Sequence, residues 1–409
     1  MISIITPSHN TRYLEQVYQY LSKQTIKNWE WIILLNGDGD LNLHYTITSD
    51  IRVRNYRSML NTTNIGALKK EACSHASGDI ILELDHDDFL LENALEECEK
   101  AFEDPEVVFA FSDALPIRPD KTVVEYRKDF GWKYEPTLFN NETFLHPVTP
   151  EAIPQNISKI WFAPDHFRAW RKSTYDLIGG HNEEMPVADD HDLICRLYLQ
   201  GKFVKIDKCL YIYNVHGENT SLQKSQDIQT LMMNNYRKYI EPMMMKWSNE
   251  NSLLCIDLCG AIDTPPGYLS VDRHNADFNM DLNHHWRLLA NNSVGLIRAN
   301  DAIEHMKDPI HTMNEAYRVL AHGGMFLIDV PSTDGKGAFC DPTHVSFWND
   351  RSFRYYTEAA MRRYLEPECK CSFQISLLEN IMKYDNLPYV RAHLIAVKEG
   401  SRIMGQYLF

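Results

Sequence analysis

The stretch Ile80-Ile81-Leu82-Glu83-Leu84-Asp85-His86-Asp87-Asp88 decides the fold of this chain. Five mostly apolar residues with strand character lead directly into three aspartates that are interrupted by one histidine. A buried strand with this ending concentrates negative charge at the carboxyl end of a sheet, where open α/β sheets bind ligands. Carboxylate oxygens of this kind suit Mg²⁺ or Mn²⁺. The alternative is an acidic turn that caps the next helix, because aspartate is a good N-cap.

The length and composition predict a two-domain protein. A chain of 409 residues exceeds the usual size of a single core. Its net charge of -15 argues against sequence-independent binding of duplex nucleic acid, which needs clustered Lys and Arg. The nine cysteines have no paired spacing, which favours reduced thiols. Since the first residues lack a basic n-region and no apolar run approaches about 20 residues, we expect a cytoplasmic chain without a membrane span.

Alternating strands and helices precede the opening stretch. The apolar runs Ile2–Thr6 and Trp29–Leu35 each end at turn-forming residues, and Arg52–Tyr56 is a third predicted strand. A helix that carries Lys69 and Lys70 then leads through Gly78-Asp79 into the fourth strand. This alternation predicts a largely parallel sheet with both faces covered.

The order of motifs over roughly the first 220 residues resembles that of family 2 glycosyltransferases, which have the A-type nucleotide-sugar (GT-A) fold. In that family the Asp-x-Asp element holds a divalent metal, Mn²⁺ or Mg²⁺, on the diphosphate of the nucleotide-sugar donor. The resemblance implies that Asp87 is the direct metal ligand and that Asp85 lies near the ribose and sugar. The motifs that carry it are Thr6-Pro7-Ser8-His9-Asn10, Trp29-Glu30-Trp31-Ile32-Ile33, Asn64-Ile65-Gly66, Gly78-Asp79 and Asp85-His86-Asp87-Asp88.

The base-binding end of the donor site departs from the family pattern. The family usually places two acidic residues after its second strand, whereas this chain has Leu35-Asn36, with Asp38 two residues further on. Asn36 or Asp38 remains available to read a base edge, and the alternative for Asp38 is a plain turn residue. The identity of the base therefore stays open. The donor-binding residues that the resemblance implies are Pro7, Ser8, Asn10, Asn36, Asp38, Asn64, Gly66, Lys69, Asp85 and His86.

A second acidic group, Asp189-Asp190-His191-Asp192, opens a predicted helix. Acidic residues are electrostatically favoured at a helix N-terminus, which is the alternative interpretation. The resemblance implies that a carboxylate here removes a proton from the acceptor hydroxyl, with Asp190 as first choice and Asp189 as second. Asp192 is expected to cap or position the helix. Downstream, His216 lies in a Tyr-x-x-His-x-x-Asn-x-Ser ending of the same family and is a second metal-ligand candidate.

We expect a glycosyltransferase domain over 1–222, a helical connector over 223–250 and a second α/β domain over 251–409. Aromatic residues accumulate between Ser112 and Pro164, where they pack in the core or line the acceptor side. The connector contains one proline and no glycine, and its apolar residues recur at helical spacing.

The second domain resembles class I S-adenosylmethionine-dependent methyltransferases over about 251–400. Strand 253–258 is followed by Cys259-Gly260-Ala261, and Asp272 ends the next strand in the position that takes ribose hydroxyls. The family has Gly-x-Gly at this turn, so a Cβ at either flanking position would crowd the cofactor. The cofactor-binding residues that the resemblance implies are Asp257, Gly260, Asp272, Asp281, Asn300 and Asp301. His305 and His344 are candidate bases for methyl transfer, or residues that make core or loop hydrogen bonds.

The sequence therefore predicts an α/β fold of two domains, an N-terminal GT-A nucleotide-diphospho-sugar transferase fold and a C-terminal Rossmann-like methyltransferase fold. The expected function is metal-dependent, inverting transfer of a sugar to a glycan or other hydroxyl acceptor, with methylation of the sugar from S-adenosylmethionine. One alternative keeps the transferase and makes the C-terminal domain a non-catalytic scaffold that binds the acceptor. Another makes both halves non-catalytic binding modules, and a third directs sugar transfer to a modified DNA base.

Overall fold

The computed structural model describes residues 1–37, 42–60, 62–126, 131–158, 164, 166–217, 219, 223–384 and 386–399. The chain forms two compact units, Met1–Ile240 and Glu241–Phe409. Their boundary falls within the segment 223–250, which the sequence predicts to be a helical connector. Both units combine helices with a mainly parallel sheet, which confirms the predicted α/β fold class.

The main sheet of the first unit has eight strands in the order β3-β2-β1-β4-β9-β6-β10-β5. Strands β1 to β4 are parallel, and β9 runs antiparallel between β4 and β6. A separate hairpin consists of β7 and β8. The strand bounds are β1 Ile2–Ser8, β2 Trp29–Leu35, β3 Val53–Arg57, β4 Ile80–Glu83, β5 Phe89–Leu90, β6 Val107–Ile117, β7 Tyr134–Phe139, β8 Glu142–Pro147, β9 Arg168–Arg171 and β10 Lys202–Asn214.

Strands β1, β2 and β4 form the centre of the core because their residues are buried on both faces of the sheet. Trp31 is fully buried on β2, and its indole Nε1 donates to Thr6 Oγ1 of β1 at 2.9 Å. Because the strands are parallel, their carboxyl ends lie at one edge of the sheet. The loops that begin at His9, Asn36 and Leu84 therefore start side by side.

Helices cover this sheet, and one more helix follows its last strand in the sequence. Asn64 caps the helix that contains Lys69, since its side-chain oxygen accepts from the amide of Ala67 at 3.1 Å. The helices are Leu14–Ser22, Tyr45–Thr48, Ile65–Ser74, Ala94–Ala101, Pro154–Ile157, Lys172–Leu177, Asp189–Tyr198 and Ser225–Glu250, the last of which contains the boundary between the units.

The second unit has a seven-stranded sheet in the order β13-β12-β11-β14-β15-β17-β16. Strand β17 runs antiparallel between β15 and β16, whereas the first five strands of the sheet order are parallel. The strand bounds are β11 Leu254–Leu258, β12 Leu269–Asp272, β13 Phe278–Asn279, β14 Val294–Asn300, β15 Leu320–Pro331, β16 Phe373–Lys383 and β17 Leu387–Ala396. The helices are Pro309–Val319, Gly337–Cys340, Asp350–Thr357 and Ala359–Arg362, with 3₁₀ turns at Ala261–Asp263, Ile303–His305 and Arg363–Leu365.

Among the helices of the part of the chain that the structure describes, none is long and apolar enough to cross a bilayer.

Candidate active site

A cavity of about 830 Å³ opens at the carboxyl edge of the first sheet. It brings the loop after β4 together with the residues that open the helix Asp189–Tyr198, although about 100 residues separate them in sequence. The cavity is lined by most of the residues that the sequence predicts for the donor, the metal and the base. Those lining residues are Pro7, Asn10, Asn36, Lys69, Asp85, His86, Asp87, Asp189, Asp190 and His216.

Three predicted donor-binding residues are not among the lining residues. Ser8 is buried and its hydroxyl donates to the Asn10 carbonyl oxygen. Asn64 caps its helix and donates through Nδ2 to the Glu183 carbonyl oxygen at 2.6 Å. A Cβ at Gly66 would lie 2.4 Å from the Asn182 carbonyl oxygen, so this glycine permits a close approach of two backbone segments. All three support the wall of the cavity, and the predicted Asp38 lies outside the described residues.

The three aspartates after β4 have different surroundings. Asp87 Oδ2 lies 2.7 Å from Nε2 of His216, with both side chains mostly buried at the cavity. Asp88 is fully buried and accepts hydrogen bonds from the Tyr211 hydroxyl at 2.9 Å and the Asn214 amide at 2.8 Å. Burial raises the pKa of Asp88 well above its ordinary value. Asp88 therefore fastens the loop to β10, while Asp85 and Asp87 face the cavity.

A buried network of charges forms one side of the cavity. Lys69 Nζ lies 2.7 Å from Glu83 Oε1 and 3.4 Å from Asp189 Oδ2. Burial alone would lower the pKa of Lys69, but the charges of Asp189 and Glu83 outweigh it and raise that pKa. Burial likewise opposes ionisation of Glu83, yet Lys69 and Arg168 hold its pKa at about 2. The network thus keeps these groups charged in the interior.

The two adjacent aspartates differ in exposure and in pKa. The Asp190 side chain is 23% exposed and pairs with Arg168, whereas the Asp189 side chain is 3% exposed. Burial raises the pKa of Asp189 to about 6. Burial opposes ionisation of Asp190 too, but the Arg168 guanidinium holds the pKa of Asp190 well below its usual range. Asp190 is therefore the more accessible and the more fully ionised carboxylate.

Sequence reasoning missed four residues of this site. Arg168 and His166 line the cavity, and the His166 ring stacks on Tyr211 with 4.8 Å between ring centroids. Glu83 joins the two cations of the charge network, and Tyr211 binds Asp88. The one available signal was Glu83, because an acidic residue inside an otherwise apolar strand needs a buried partner.

The cavity fits a divalent cation. Asp85 and Asp87 supply carboxylates to the cavity and His216 supplies an imidazole. Ligand atoms of Asp85, His166 and the buried Asp88, which is not a lining residue, lie within 4.8 Å of one another. Among the described residues that line the cavity, five carry carboxylates and three are Lys or Arg. Carboxylate oxygens suit Mg²⁺ and Mn²⁺, and the excess of acidic groups favours a positive ligand.

In the second unit, Asp272 and Asn300 end strands β12 and β14 on either side of β11, so they lie at the same sheet edge as the turn after β11. Asp272 accepts from the Arg273 amide at 2.6 Å, and Asn300 accepts from Lys383 Nζ. Asp281 accepts from the Asn283 amide at 2.9 Å. Asp301 follows Asn300 and accepts from the Tyr384 hydroxyl at 3.1 Å.

The Asp257 side chain lies against the turn after β11. A Cβ at Gly260 would lie 2.0 Å from Asp257 Oδ2. Asp257 is fully buried and its other oxygen pairs with Arg298 Nη1 at 2.8 Å. The neighbours Cys259 and Ala261 adopt φ values of 60° and 43°, the left-handed region that favours glycine. The acidic edge fits a ribose, and position 260 requires glycine because Asp257 lies against it.

The predicted bases of this unit lie together. The His305 and His344 rings have centroids 5.0 Å apart, and both lie beside the buried Glu304. Burial raises the pKa of Glu304 to about 8.

Two family models match separate segments of this chain. Residues 3–176 match the family model described as Glycosyl transferase family 2, and residues 258–328 match the model described as Methyltransferase domain. A hyaluronan synthase of Pasteurella multocida is 26% identical over 229 residues, which cover 55% of this chain and 21% of that protein. A chondroitin synthase of Escherichia coli is 27% identical over 236 residues, covering 56% and 31% respectively. The chain thus spans less than a third of the length of these curated relatives.

Among solved structures, S. aureus TarS 1–349 matches with a TM-score of 0.43 and 14% identity, covering 61% of this chain and 72% of that chain. The two family models confirm the resemblance drawn from the motifs. Residues 3–176 are thus similar to family 2 glycosyltransferases, and residues 258–328 are similar to a methyltransferase domain.

Proposed function

We propose that the N-terminal domain transfers a sugar from a nucleotide-diphospho-sugar donor to a hydroxyl group of a glycan or another acceptor, with inversion. One observation carries this proposal: a single cavity joins the Asp85-His86-Asp87 loop to Asp190. The first group suits a cation and a diphosphate, and the second suits removal of a proton. Hyaluronan and chondroitin are glycans, so the names of the relatives favour a glycan acceptor.

Asp87 and His216 are the residues that would hold the divalent cation, Mn²⁺ or Mg²⁺, and Asp85 would lie next to them. When bound, such a cation neutralises negative charge that develops on the departing diphosphate. Asn10 and His86, whose side chains lie 3.2 Å apart, line the same part of the cavity. Asn36 lines the cavity after β2 and is available to a base edge, but its amide does not select one base.

Asp190 is the proposed base because its carboxylate reaches the cavity and stays ionised beside Arg168. A carboxylate removes a proton effectively only within hydrogen-bond reach of the acceptor hydroxyl. The resulting oxygen nucleophile displaces the diphosphate directly, which inverts the configuration of the sugar. Asp189 faces Lys69 and is proposed to position that lysine.

The test measures the release of nucleoside diphosphate from a panel of nucleotide sugars in the presence of oligosaccharide acceptors. The assay is run with Mn²⁺, with Mg²⁺ and with a chelator of divalent cations. We expect release from one class of donor, dependent on both acceptor and cation. No turnover and no thermal stabilisation by any nucleotide sugar would contradict a transferase. Turnover at an equal rate in chelator would support a transferase that does not need a divalent cation.

We further propose that the C-terminal domain binds S-adenosylmethionine with Asp272 on its ribose and Asp281 towards its adenine, and methylates a sugar. The cofactor supplies the methyl group, and the proposal rests on the placement of Asp272 and Asn300 beside the turn after β11. The side chains that Cys259 and Ala261 place where the family has glycine favour a second candidate, a non-catalytic scaffold that holds the acceptor.

Calorimetry with S-adenosylmethionine separates the two candidates. Binding that is lost in Asp272→Ala and kept in the exposed control His274→Ala supports the cofactor site. An absence of heat and of any thermal shift supports the scaffold.

A further inference from the structure

Three ligand-type side chains converge in the second unit. Glu304 and His305 belong to the 3₁₀ turn Ile303–His305 that follows β14, and His344 belongs to the loop that precedes the helix Asp350–Thr357. One ligand atom from each side chain lies within 4.8 Å of the other two. We propose that Glu304, His305 and His344 form a binding site for a divalent transition-metal cation of the Zn²⁺ type. This site is separate from the proposed sugar-transfer site and does not depend on it.

The buried position of the Glu304 carboxylate indicates a ligand-binding site. Its side chain is 2% exposed, and among the described residues neither carboxylate oxygen has a hydrogen-bond partner. Burying a polar group without a partner is unfavourable, and burying a charge without one is more so. Such buried groups in native proteins are normally paired or coordinate a metal.

The distances suit two ligands of one ion better than a direct hydrogen bond. His344 Nε2 lies 3.9 Å from Glu304 Oε1, which exceeds hydrogen-bond length. In a tetrahedral zinc site with bonds of about 2.0–2.1 Å, neighbouring ligand atoms are about 3.3 Å apart. A contraction of about half an ångström would therefore bring these two atoms to ligand spacing.

Both imidazoles are held in the orientation that metal ligands require. His344 Nδ1 lies 3.0 Å from the Ala338 carbonyl oxygen, and His305 Nδ1 lies 3.2 Å from the Thr343 carbonyl oxygen. A carbonyl oxygen only accepts, so each Nδ1 is the donor, and in the neutral imidazole the lone pair that a metal binds is then on Nε2. Metal-binding histidines commonly donate their other nitrogen to a backbone carbonyl in this way.

The backbone fixes the two segments to each other. The amides of Val345 and Ser346 donate to the Glu304 carbonyl oxygen at 2.9 and 3.0 Å. The Ser346 hydroxyl donates to the Ile303 carbonyl oxygen at 2.9 Å and accepts from the buried Trp348 indole at 3.0 Å. These bonds hold His344 opposite Glu304, so the site is organised by the fold itself.

The ligand set identifies the class of cation. Two imidazoles with one carboxylate suit Zn²⁺ and other late first-row cations, in contrast to the carboxylate-rich cavity of the first unit. Three protein ligands also leave coordination positions open, as in catalytic metal sites. The half-buried His305 gives a small ligand a route to those positions.

The test measures Co²⁺ and Zn²⁺ binding to the full chain after removal of metals with a chelator. All proteins carry Asp87→Ala, so that the proposed cation site of the first unit contributes little. We expect visible Co²⁺ absorption that Zn²⁺ abolishes by displacement. Glu304→Gln and His344→Asn should each weaken binding about tenfold or more. The matched control is His285→Asn, because the exposed His285 also lies beside a buried glutamate, with Nδ1 3.0 Å from Glu315 Oε2, but is outside the cluster.

Circular dichroism and thermal unfolding verify that each variant is folded. If Glu304→Gln or His344→Asn does not fold, the more exposed His305→Asn replaces it and must show the same loss. The proposal is overturned if the chain binds neither ion, or if the affinity is the same in the cluster variants and in the His285→Asn control.

Discussion

Arg168 Nη1 lies 2.6 Å from Asp190 Oδ2, and this contact distinguishes the pKa of Asp190 from the pKa of its neighbour Asp189. Asp190 is held ionised by the guanidinium, whereas burial raises the pKa of Asp189 to about 6. Environments that shift two such groups apart are typical of sites where the two carboxylates have different roles.

Asp190→Asn should reduce kcat for sugar transfer by about 10²–10⁴-fold, because a positioned general base contributes about that much. The KM for the donor should change little, since Asp190 is assigned to the acceptor hydroxyl. Steady-state kinetics with varied donor and acceptor measure both parameters. A kcat within a few-fold of the wild type would remove Asp190 from the mechanism, and Asp189→Asn would then be tested as the base.

Arg168→Gln should raise the pKa of Asp190, because it removes the cation that favours the carboxylate form. The base acts only when ionised, so the acidic limb of the kcat/KM profile should move to higher pH. Activity should be lost mainly at low pH and partly regained as the pH rises. Arg168→Lys is the control that keeps the charge and should shift the limb less. An unchanged acidic limb in Arg168→Gln would show that another group controls it.

Lys69→Met should destabilise the first unit by about 3–5 kcal/mol, because it removes the lysine that pairs with two buried carboxylates, Asp189 and Glu83, and leaves Glu83 with the more distant Arg168. The matched control is Lys70→Met on the same helix. Lys70 pairs with Glu183 at the surface, and such a pair contributes only about 0–1 kcal/mol. Urea unfolding of the two variants measures the difference. Equal losses in both would contradict the buried network.

Asp87→Ala and His216→Ala should each reduce sugar transfer by about 100-fold or more and raise the cation concentration needed for half-maximal rate. The control is Asp79→Ala, because Asp79 has an 86% exposed side chain and lies outside the cavity. A wild-type dependence on Mn²⁺ in Asp87→Ala would exclude Asp87 as a ligand.

Glu30→Gln should destabilise the first unit at neutral pH by about 1.5–3 kcal/mol, the usual contribution of hydrogen bonds to a charged group. Burial opposes ionisation of Glu30, but hydrogen bonds from Ser3, Ser77 and Arg54 hold its pKa at about 2. A lowered folded-state pKa adds stability that is present above the unfolded pKa and is lost as the pH falls towards the folded value. The difference between variant and wild type should therefore shrink between about pH 4.5 and pH 2. A difference that stays constant over this interval would contradict the assignment.

Local sequence patterns predicted the elements that end at the cavity. The apolar runs before Pro7, Asn36 and Asp85 are parallel strands, and the segments that follow them meet at the cavity because parallel strands end at the same edge of the sheet. The pairing of Glu83 with Arg168 was not predictable, since it depends on the antiparallel register that places these residues opposite each other on β4 and β9. Sequence also could not distinguish the outward Asp87 from the buried Asp88, because that distinction depends on Tyr211 and Asn214 of a distant strand.

In the second unit too, the sequence does not predict contacts between distant residues. The sequence shows that the turn Cys259-Gly260-Ala261 departs from Gly-x-Gly, but it does not show that the Asp257 side chain lies against Gly260. The cluster of Glu304, His305 and His344 joins residues about 40 positions apart through a loop without regular periodicity. Local patterns carry no information on such a contact.

The excess of carboxylates over Lys and Arg side chains in the cavity has a thermodynamic consequence for the order of binding. A diphosphate entering this cavity without a cation meets unbalanced negative charge, and a cation entering alone lacks the phosphate oxygens that complete its shell. Each ligand should therefore increase the affinity of the other by the same factor, because the coupling free energy between two binding events is reciprocal. A dissociation constant for the nucleotide sugar then describes this domain only at a stated concentration of free divalent cation.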